Sequence, residues 1–377
     1  MSPTSPVRVL FAYHHLPHYR FAVFEELQSR DGVEVHFAAG PSQPGSRIDT
    51  IDDGQLRTIL PLTNYWFGPF LYQSGLLSLI RTGSYDKVVF LGDWKFLSTW
   101  LAAVECRLRG IDTYFWTIGW SRPDKIPQRL LRRAFYSLPQ KLLLYGDYGA
   151  ELARRAGIPA DRVHVVGNSS STKPRDSTQE EVEIATALLS KLRGSRPYIL
   201  TVVRLNKAKR LDLLIQALSL IDESVRPKVV LVGEGPERDN LLSLAEKLDV
   251  HLLLPGAIHS EELLRLLYSN SFASVVPEAA GLTVIQSLTA GVPAVTADDP
   301  FVQMPEYEAI EHGVNGYLYR AGDIEDLARA ISAARLDYET NASAVSQRCR
   351  DSVTGRWTAS GQASNILRAI GCGRVGG

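Results

Sequence analysis

Two cations, one carboxylate and two glycine turns, spread over residues 199–318, are the side chains best suited to chemistry in this chain. Arg204 and Lys209 follow the apolar run 198–203, which reads as a buried strand. A strand that ends in a basic residue delivers it to the carboxyl edge of a parallel sheet, where open α/β folds bind ligands. A guanidinium grips phosphate oxygens bidentately and an ammonium adds a compact point charge, so the pair suits a diphosphate. The second signal, Gly233-Glu234-Gly235, follows the run 228–232. It reads either as a strand-end turn or as a ligand contact, and no third glycine completes a dinucleotide fingerprint. In the third, residues 277–286, Gly281, Leu282 and Thr283 read as the first turn of a helix. Free backbone N–H groups and the positive dipole end make such a turn an anion site, and Gly281 admits close approach. The chain has no Asp-x-Asp pair to clamp a metal-bound diphosphate, so neither metal nor cofactor is expected.

These residues need a scaffold, and the alternation of elements supplies one. Strands are expected at 7–12, 33–38, 87–91, 113–116, 141–145 and 162–166, with helical spacing between them, as at 21–30. Repeated βα units predict a parallel sheet with helices on both faces. The polar, proline-bearing run 168–178 reads as a linker. Beyond it a helix over 180–192 is expected, then strands near Ile199, Val229, Leu252, Ala273 and Ala294. Closing helices follow Tyr338, the last over 359–370. The predicted organisation is an N-terminal domain at 1–168, a linker at 169–178, a second domain at 179–355 and a closing helix and tail at 356–377.

In the N-terminal half, the segment 13–20 (YHHLPHYR) lies between the first strand and the first helix. His14, His18 and Arg20 could bind phosphate or orient a hydroxyl there, since imidazole titrates near neutral pH. The bland alternative is loop and helix-start polarity. Asp93 ends the third strand, where it would bond a ligand hydroxyl or cap the next helix. Trp120 ends the fourth, where it would stack on a sugar or pack. The aromatic run 65–72 reads as a loop. Residues 122–141 carry six basic side chains against one acidic, interleaved with Leu130, Leu131, Phe135 and Leu138. That pattern fits either peripheral contact with an anionic membrane or an ordinary surface helix.

Bulk properties narrow the field. With 41 basic and 41 acidic residues in 377, bulk electrostatics do not point to nucleic acid. Cys106, Cys349 and Cys372 have neither metal nor redox spacing. The first residues are polar, and no apolar run approaches the roughly 20 residues that span a bilayer. The expectation is a cytoplasmic protein, soluble or peripheral on the inner membrane face.

Taken in order, the three C-terminal segments resemble the second domain of the group 1, or GT4, retaining glycosyltransferases. The resemblance is specific over 199–318 and thinner before it. It implies a GT-B fold: two Rossmann-like α/β domains facing each other across a cleft, with a C-terminal helix returning to the first. It implies a nucleotide-diphosphate-sugar donor held by Arg204, Lys209, Gly233 and the 281–283 turn. Gln286 would then lie near the ribose and Glu278 near the sugar hydroxyls. The acceptor, a carbohydrate, lipid-linked or small molecule, would lie against the N-terminal domain, near His14, His18, Arg20, Asp93 and Trp120. Glu306 and Glu308 form a second acidic pair that could line the same cleft. Transfer to a hydroxyl with retention follows from the resemblance. A sugar-nucleotide epimerase, a phosphorylase-like enzyme or a catalytically degenerate partner subunit are the alternatives on the same fold. The chain departs from the family pattern at Ile118, where many relatives place a histidine, and at Gln286, where glutamate is common.

Overall fold

A computed structural model describes residues 5–43, 45, 49–51, 54–120, 126–169, 177–192 and 197–373. The chain forms two compact units, residues 1–173 with 355–377 and residues 174–354.

In the first unit the chain runs β1 (Val7–Ala12), α1 (Phe21–Ser29), β2 (Val33–Ala39) and β3 (Ile59–Pro61). A hairpin of β4 (Thr63–Phe67) and β5 (Phe70–Ser74) follows, then α2 (Leu76–Thr82) and β6 (Lys87–Leu91). The unit continues through α3 (Leu97–Leu108), β7 (Asp112–Thr117), α4 (Ile126–Tyr136), β8 (Lys141–Leu144), α5 (Asp147–Arg155) and β9 (Val163–Val165). Seven parallel strands stand in the order β3-β2-β1-β6-β7-β8-β9. Strand alternation divides the apolar residues between two cores. Val9, Phe11, Phe37, Val89 and Trp116 pack beneath α1 on one face. Leu10, Val88, Phe90, Phe115 and Leu142 pack with α2, α3 and α4 on the other. Both faces are covered, which is why these strands read as continuous apolar runs.

The second unit holds α6 (Gln179–Leu192), β10 (Tyr198–Val202), α7 (Leu211–Ser219), β11 (Val229–Val232), α8 (Arg238–Lys247) and β12 (Leu252–Gly256). It continues with α9 (Glu261–Tyr268), β13 (Ser271–Val275), α10 (Leu282–Thr289), β14 (Ala294–Ala297), β15 (Gly316–Tyr319) and α11 (Ile324–Ser352). Its six parallel strands are ordered β12-β11-β10-β13-β14-β15. In α11 the backbone kinks at Asn341.

A final helix, α12 (Ala359–Ala369), belongs to the first unit and packs on α1. Thr358 Oγ1 caps it by accepting from Gly361 N at 3.1 Å. Lys141 Nζ donates to the Ala369 carbonyl at 2.8 Å, placing a cation at the negative end of the helix. The expected linker begins on buried ground: Ser169 N and Oγ both donate to Gln362 Oε1, at 3.0 and 2.9 Å. Residues 170–176 of that linker lie outside the described residues.

Two expectations of local structure change. The run 65–72, read as a loop, is the β4–β5 hairpin, with Gly68 at positive φ in its turn. Residues 122–125 of the basic segment lie outside the described residues, while its helix α4 buries Phe135 and leaves Leu130 and Leu131 exposed.

Candidate functional site

Each sheet reverses strand order once, between β1 and β6 in the first unit and between β10 and β13 in the second. Crevices beyond the carboxyl ends of such strand pairs are where open α/β folds bind ligands. In the second unit the flanking loops are 203–210 and 276–281, which hold Arg204, Lys209 and Glu278.

These two loops are tied together. Glu278 N donates to the Lys209 carbonyl at 3.3 Å, and Lys209 Nζ donates to the Ala279 carbonyl at 2.6 Å. Arg210, which the sequence reading passed over, brings its Nη1 within 3.8 Å of Glu278 Oε1 while binding Asp212 through two nitrogens. Arg210 and Ala279 both hold left-handed backbone, at φ 48° and 50°. That conformation costs a non-glycine residue on the order of 1 kcal/mol, so the surrounding bonds must hold it. Ala279 is held from both sides, since its N also donates to the Val302 carbonyl at 2.7 Å.

Burial lowers the pKa of the Lys209 ammonium, and the carboxylate of Glu306 opposes that shift. Glu306 was expected as a cleft-lining residue, but it is 1% exposed and acts as a buried counter-charge to Lys209. Arg204 differs: it is exposed, and its guanidinium makes no hydrogen bond or ion pair with the described residues, although its carbonyl accepts from Asn206 N at 3.0 Å. A partly buried, hydrogen-bonded cation and an uncommitted one therefore occupy the same loop.

Glycine is required at 233 and 235 for reasons internal to the fold. A Cβ at 233 would lie 2.0 Å from the Val203 carbonyl oxygen, and one at 235 would lie 2.1 Å from that of Leu205. Both glycines let the turn after β11 press on the 203–205 backbone, so they position Arg204. At Gly281, the N-cap of α10, a Cβ would make only ordinary contacts, the nearest Met304 Cγ at 3.7 Å. Packing does not demand glycine there, and its absence of side chain leaves the first-turn amides of Leu282 and Thr283 uncovered. Those amides have no intrahelical acceptor.

The Thr283 hydroxyl donates to the Val202 carbonyl and fastens α10 to the end of β10. Gln286, one turn after Leu282, is half-buried. Gln303, also unforeseen, is the buried clamp of the 277–281 loop. Its Oε1 accepts from Ala280 N at 2.9 Å, and its Nε2 donates to Thr296 Oγ1 at 2.8 Å and to the Ala297 carbonyl at 3.1 Å. A glutamine 23 residues from its target gives no local signal in a sequence.

In the first unit His14 follows β1 and Asp93 follows β6, so both sit at its strand-order reversal. His14 packs edge-on against His15, with centroids 4.1 Å apart, and against Phe96 at 5.4 Å. Burial and then the neighbouring His15 push the His14 pKa down to about 3, and burial lowers that of His15. Both shifts favour the neutral rings over the charged ones. His18 Nδ1 lies 3.1 Å from the Asp49 carbonyl. Arg20 is buried, with its guanidinium 4.7 Å from the Trp116 ring and 5.0 Å from that of Tyr145, so it braces the aromatic core. Asp93 Oδ1 accepts from Lys95 N at 3.0 Å in a local turn. Trp120 is 3% exposed and packs on Tyr136 at 4.6 Å, which leaves no ring face for a sugar. Among the described residues no cluster of three or more His, Cys, Asp or Glu could hold a metal ion.

Residues 190–348 match the family model described as glycosyl transferases group 1. A protein named as a glycosyltransferase, EpsD of Bacillus subtilis, is 26% identical over 343 residues, covering 85% of this chain and 83% of its own. Among solved structures, Anabaena HepE in complex with UDP superposes with a TM-score of 0.72 at 16% identity, covering 97% of this chain and all of HepE. A glycosyltransferase from Rickettsia africae gives 0.73 at 14% identity, covering 97% and 98%. The match to the group 1 glycosyl transferases thus lies in the second unit, and the chain as a whole has the GT-B fold of these solved structures.

Proposed function

We propose that this chain transfers a sugar from a nucleoside-diphosphate sugar to an acceptor hydroxyl, with retention of anomeric configuration and without a metal ion. The observation that carries the reading is the strand-order reversal of the second unit. There the exposed Arg204, its guanidinium uncommitted, and the partly buried Lys209 share a loop tied through Ala279 to the segment leading into α10, whose Thr283 is fastened to the end of β10. Two cations and a helix N-terminus suit the two charges of a leaving diphosphate. Its similarity in fold to HepE, which was solved with UDP, agrees with that ligand class.

In the proposed reaction the bond between the anomeric carbon and the β-phosphate oxygen breaks, and a bond from that carbon to the acceptor oxygen forms on the same face. The acceptor proton passes to the leaving phosphate, so no enzymatic nucleophile is needed. Arg204 and Lys209 stabilise the charge that develops on the diphosphate, and fixed donors of this kind are the main protein contribution to such steps. Glu278, held beside Arg210, would orient the sugar hydroxyls, and Gln286 would meet the ribose. The acceptor would be a carbohydrate, a lipid-linked sugar or a small molecule.

The experiment is release of nucleoside diphosphate from a panel of UDP-, GDP- and dTDP-sugars in excess EDTA, with the glycoside anomer read by NMR. Turnover in EDTA with a retained anomer is expected. Donor isomerisation without transfer would replace this reading with an epimerase. Nucleotide binding with no turnover for any donor would leave a degenerate partner subunit.

A further inference from the structure

Helix α3 carries an apolar stripe that the fold does not use. Leu97, Leu101, Val104 and Leu108 recur at spacings of four, three and four and so lie on one face. All four are exposed, Leu101 at 52% and Leu108 at 80%. The core-facing side of the same helix is complete without them, through Ala102, Ala103 and Cys106.

The stripe continues onto α4. Trp100 packs on Phe135 with ring centroids 4.9 Å apart, which sets the two helices side by side. One turn from Trp100, on its side of α3, stand Leu97 and Val104. One turn before Phe135, on its side of α4, stands Leu131, which is exposed like its neighbour Leu130.

Charge decides what such a face fits. Residues 76–82, 94–110 and 128–136 together carry seven Lys or Arg and a single carboxylate, Glu105. That carboxylate is already held by Arg81 at 3.0 Å and Arg109 at 2.7 Å. A second copy docked through this face would set cations against cations. An anionic surface would satisfy them, and the long arginine stems can lie along apolar contacts while their heads reach phosphate. No helix among the described residues is long and apolar enough to cross a membrane, so contact would be in the plane of the interface.

We propose that α3 and α4 form one docking face for an anionic lipid bilayer, with the leucine stripe entering the headgroup boundary and Arg107, Arg129 and Arg133 engaging lipid phosphate. The proposal does not depend on the reading of the phosphate site in the other unit.

Flotation of the full chain with vesicles tests it. Phosphatidylcholine vesicles containing about a third phosphatidylglycerol should carry the protein upward, and pure phosphatidylcholine vesicles should not. Raising the salt should weaken capture, because surface charges are screened. Leu101→Glu with Val104→Glu, and separately Arg129→Glu with Arg133→Glu, should each reduce the bound fraction at least about tenfold, as expected when interfacial charge contacts are reversed. Leu108→Glu, at the most exposed position of the stripe, repeats the test should the double variant melt early. Absence of capture by anionic vesicles at low salt, or equal capture of wild type and variants, overturns the proposal. A concentration-dependent dimer abolished by Leu101→Glu, without vesicle binding, assigns the face to a second copy and overturns it too.

Discussion

Lys209 Nζ donates to the Ala279 carbonyl at 2.6 Å, joining the loop after β10 to the loop after β13 across the strand-order reversal of the second unit. The same ammonium is desolvated and has the buried Glu306 nearby. Lys209→Met should therefore weaken two properties at once. Loss of one charge-assisted contact costs on the order of 1.5–3 kcal/mol, so nucleoside-diphosphate affinity should fall roughly ten- to hundredfold. Melting temperature should also drop, because Glu306 loses its nearby cation. Titration calorimetry and a thermal melt of the same sample read both effects.

Gly233→Ala should be severe because residue 233 presses on the backbone that carries Arg204. Its Cβ would approach the Val203 carbonyl oxygen to 2.0 Å, at a backbone φ of 144° that side chains rarely adopt. Backbone at 203 must move, and Arg204 moves with it. Binding should be lost even in whatever fraction folds, and urea unfolding should show destabilisation of several kcal/mol, about the scale expected of forced overpacking.

Gln303→Leu removes the clamp on the 277–281 loop and leaves Ala280 N without its acceptor. A buried polar group stranded this way costs about 1–3 kcal/mol. The expected result is lower stability with weakened nucleotide binding, while Gln303→Glu should retain the Ala280 bond and lose the bonds donated by Nε2. Equal behaviour of both variants and wild type in urea would remove Gln303 from the account.

Much of this architecture is legible in the residues themselves. Runs such as 198–203 and 228–232 are apolar because parallel strands are covered on both faces, and Gly281 marks the start of α10 as its type and position suggest. What escapes is whatever depends on contacts distant in sequence. Asp93 and Trp120 lie just beyond strand ends, where acidic and aromatic side chains suit a ligand, yet Trp120 is buried on Tyr136 and Asp93 closes a local turn. Arg210 was invisible because its importance lies in an unusual backbone conformation and a neighbour 68 positions away. The hairpin at 63–74 was obscured by its aromatic content. Its alternation is plain only once Trp66 is seen packing inward on Phe96 while Tyr65 and Phe67 face out.

The packed pair of His14 and His15 predicts a pH dependence of stability. His14 is held down to about 3, chiefly by burial and then by His15, and burial moves His15 the same way. An unfolded chain takes up these protons near pH 6.5. Below that pH the unfolded state holds more protons than the folded one, so stability falls as pH falls, until about pH 3 for His14. Between pH 6.5 and 5 the loss from His14 alone should be about 2 kcal/mol. Urea unfolding of His14→Gln should show a shallower pH dependence than wild type. Parallel curves would mean that the ring is solvated.

The central claim is that the loops at 203–210 and 276–281, with the first turn of α10, hold a nucleoside diphosphate by protein charge alone. Isothermal titration with UDP, GDP and dTDP in excess EDTA, on wild type and on Arg204→Ala, tests it most directly. The Arg204 side chain is exposed and has no partner among the described residues, so its variant should keep the wild-type melting temperature. The account predicts that at least one nucleotide binds wild type in EDTA and binds Arg204→Ala about ten- to hundredfold more weakly. Binding that requires added magnesium or manganese, or an affinity unchanged in Arg204→Ala, would contradict it.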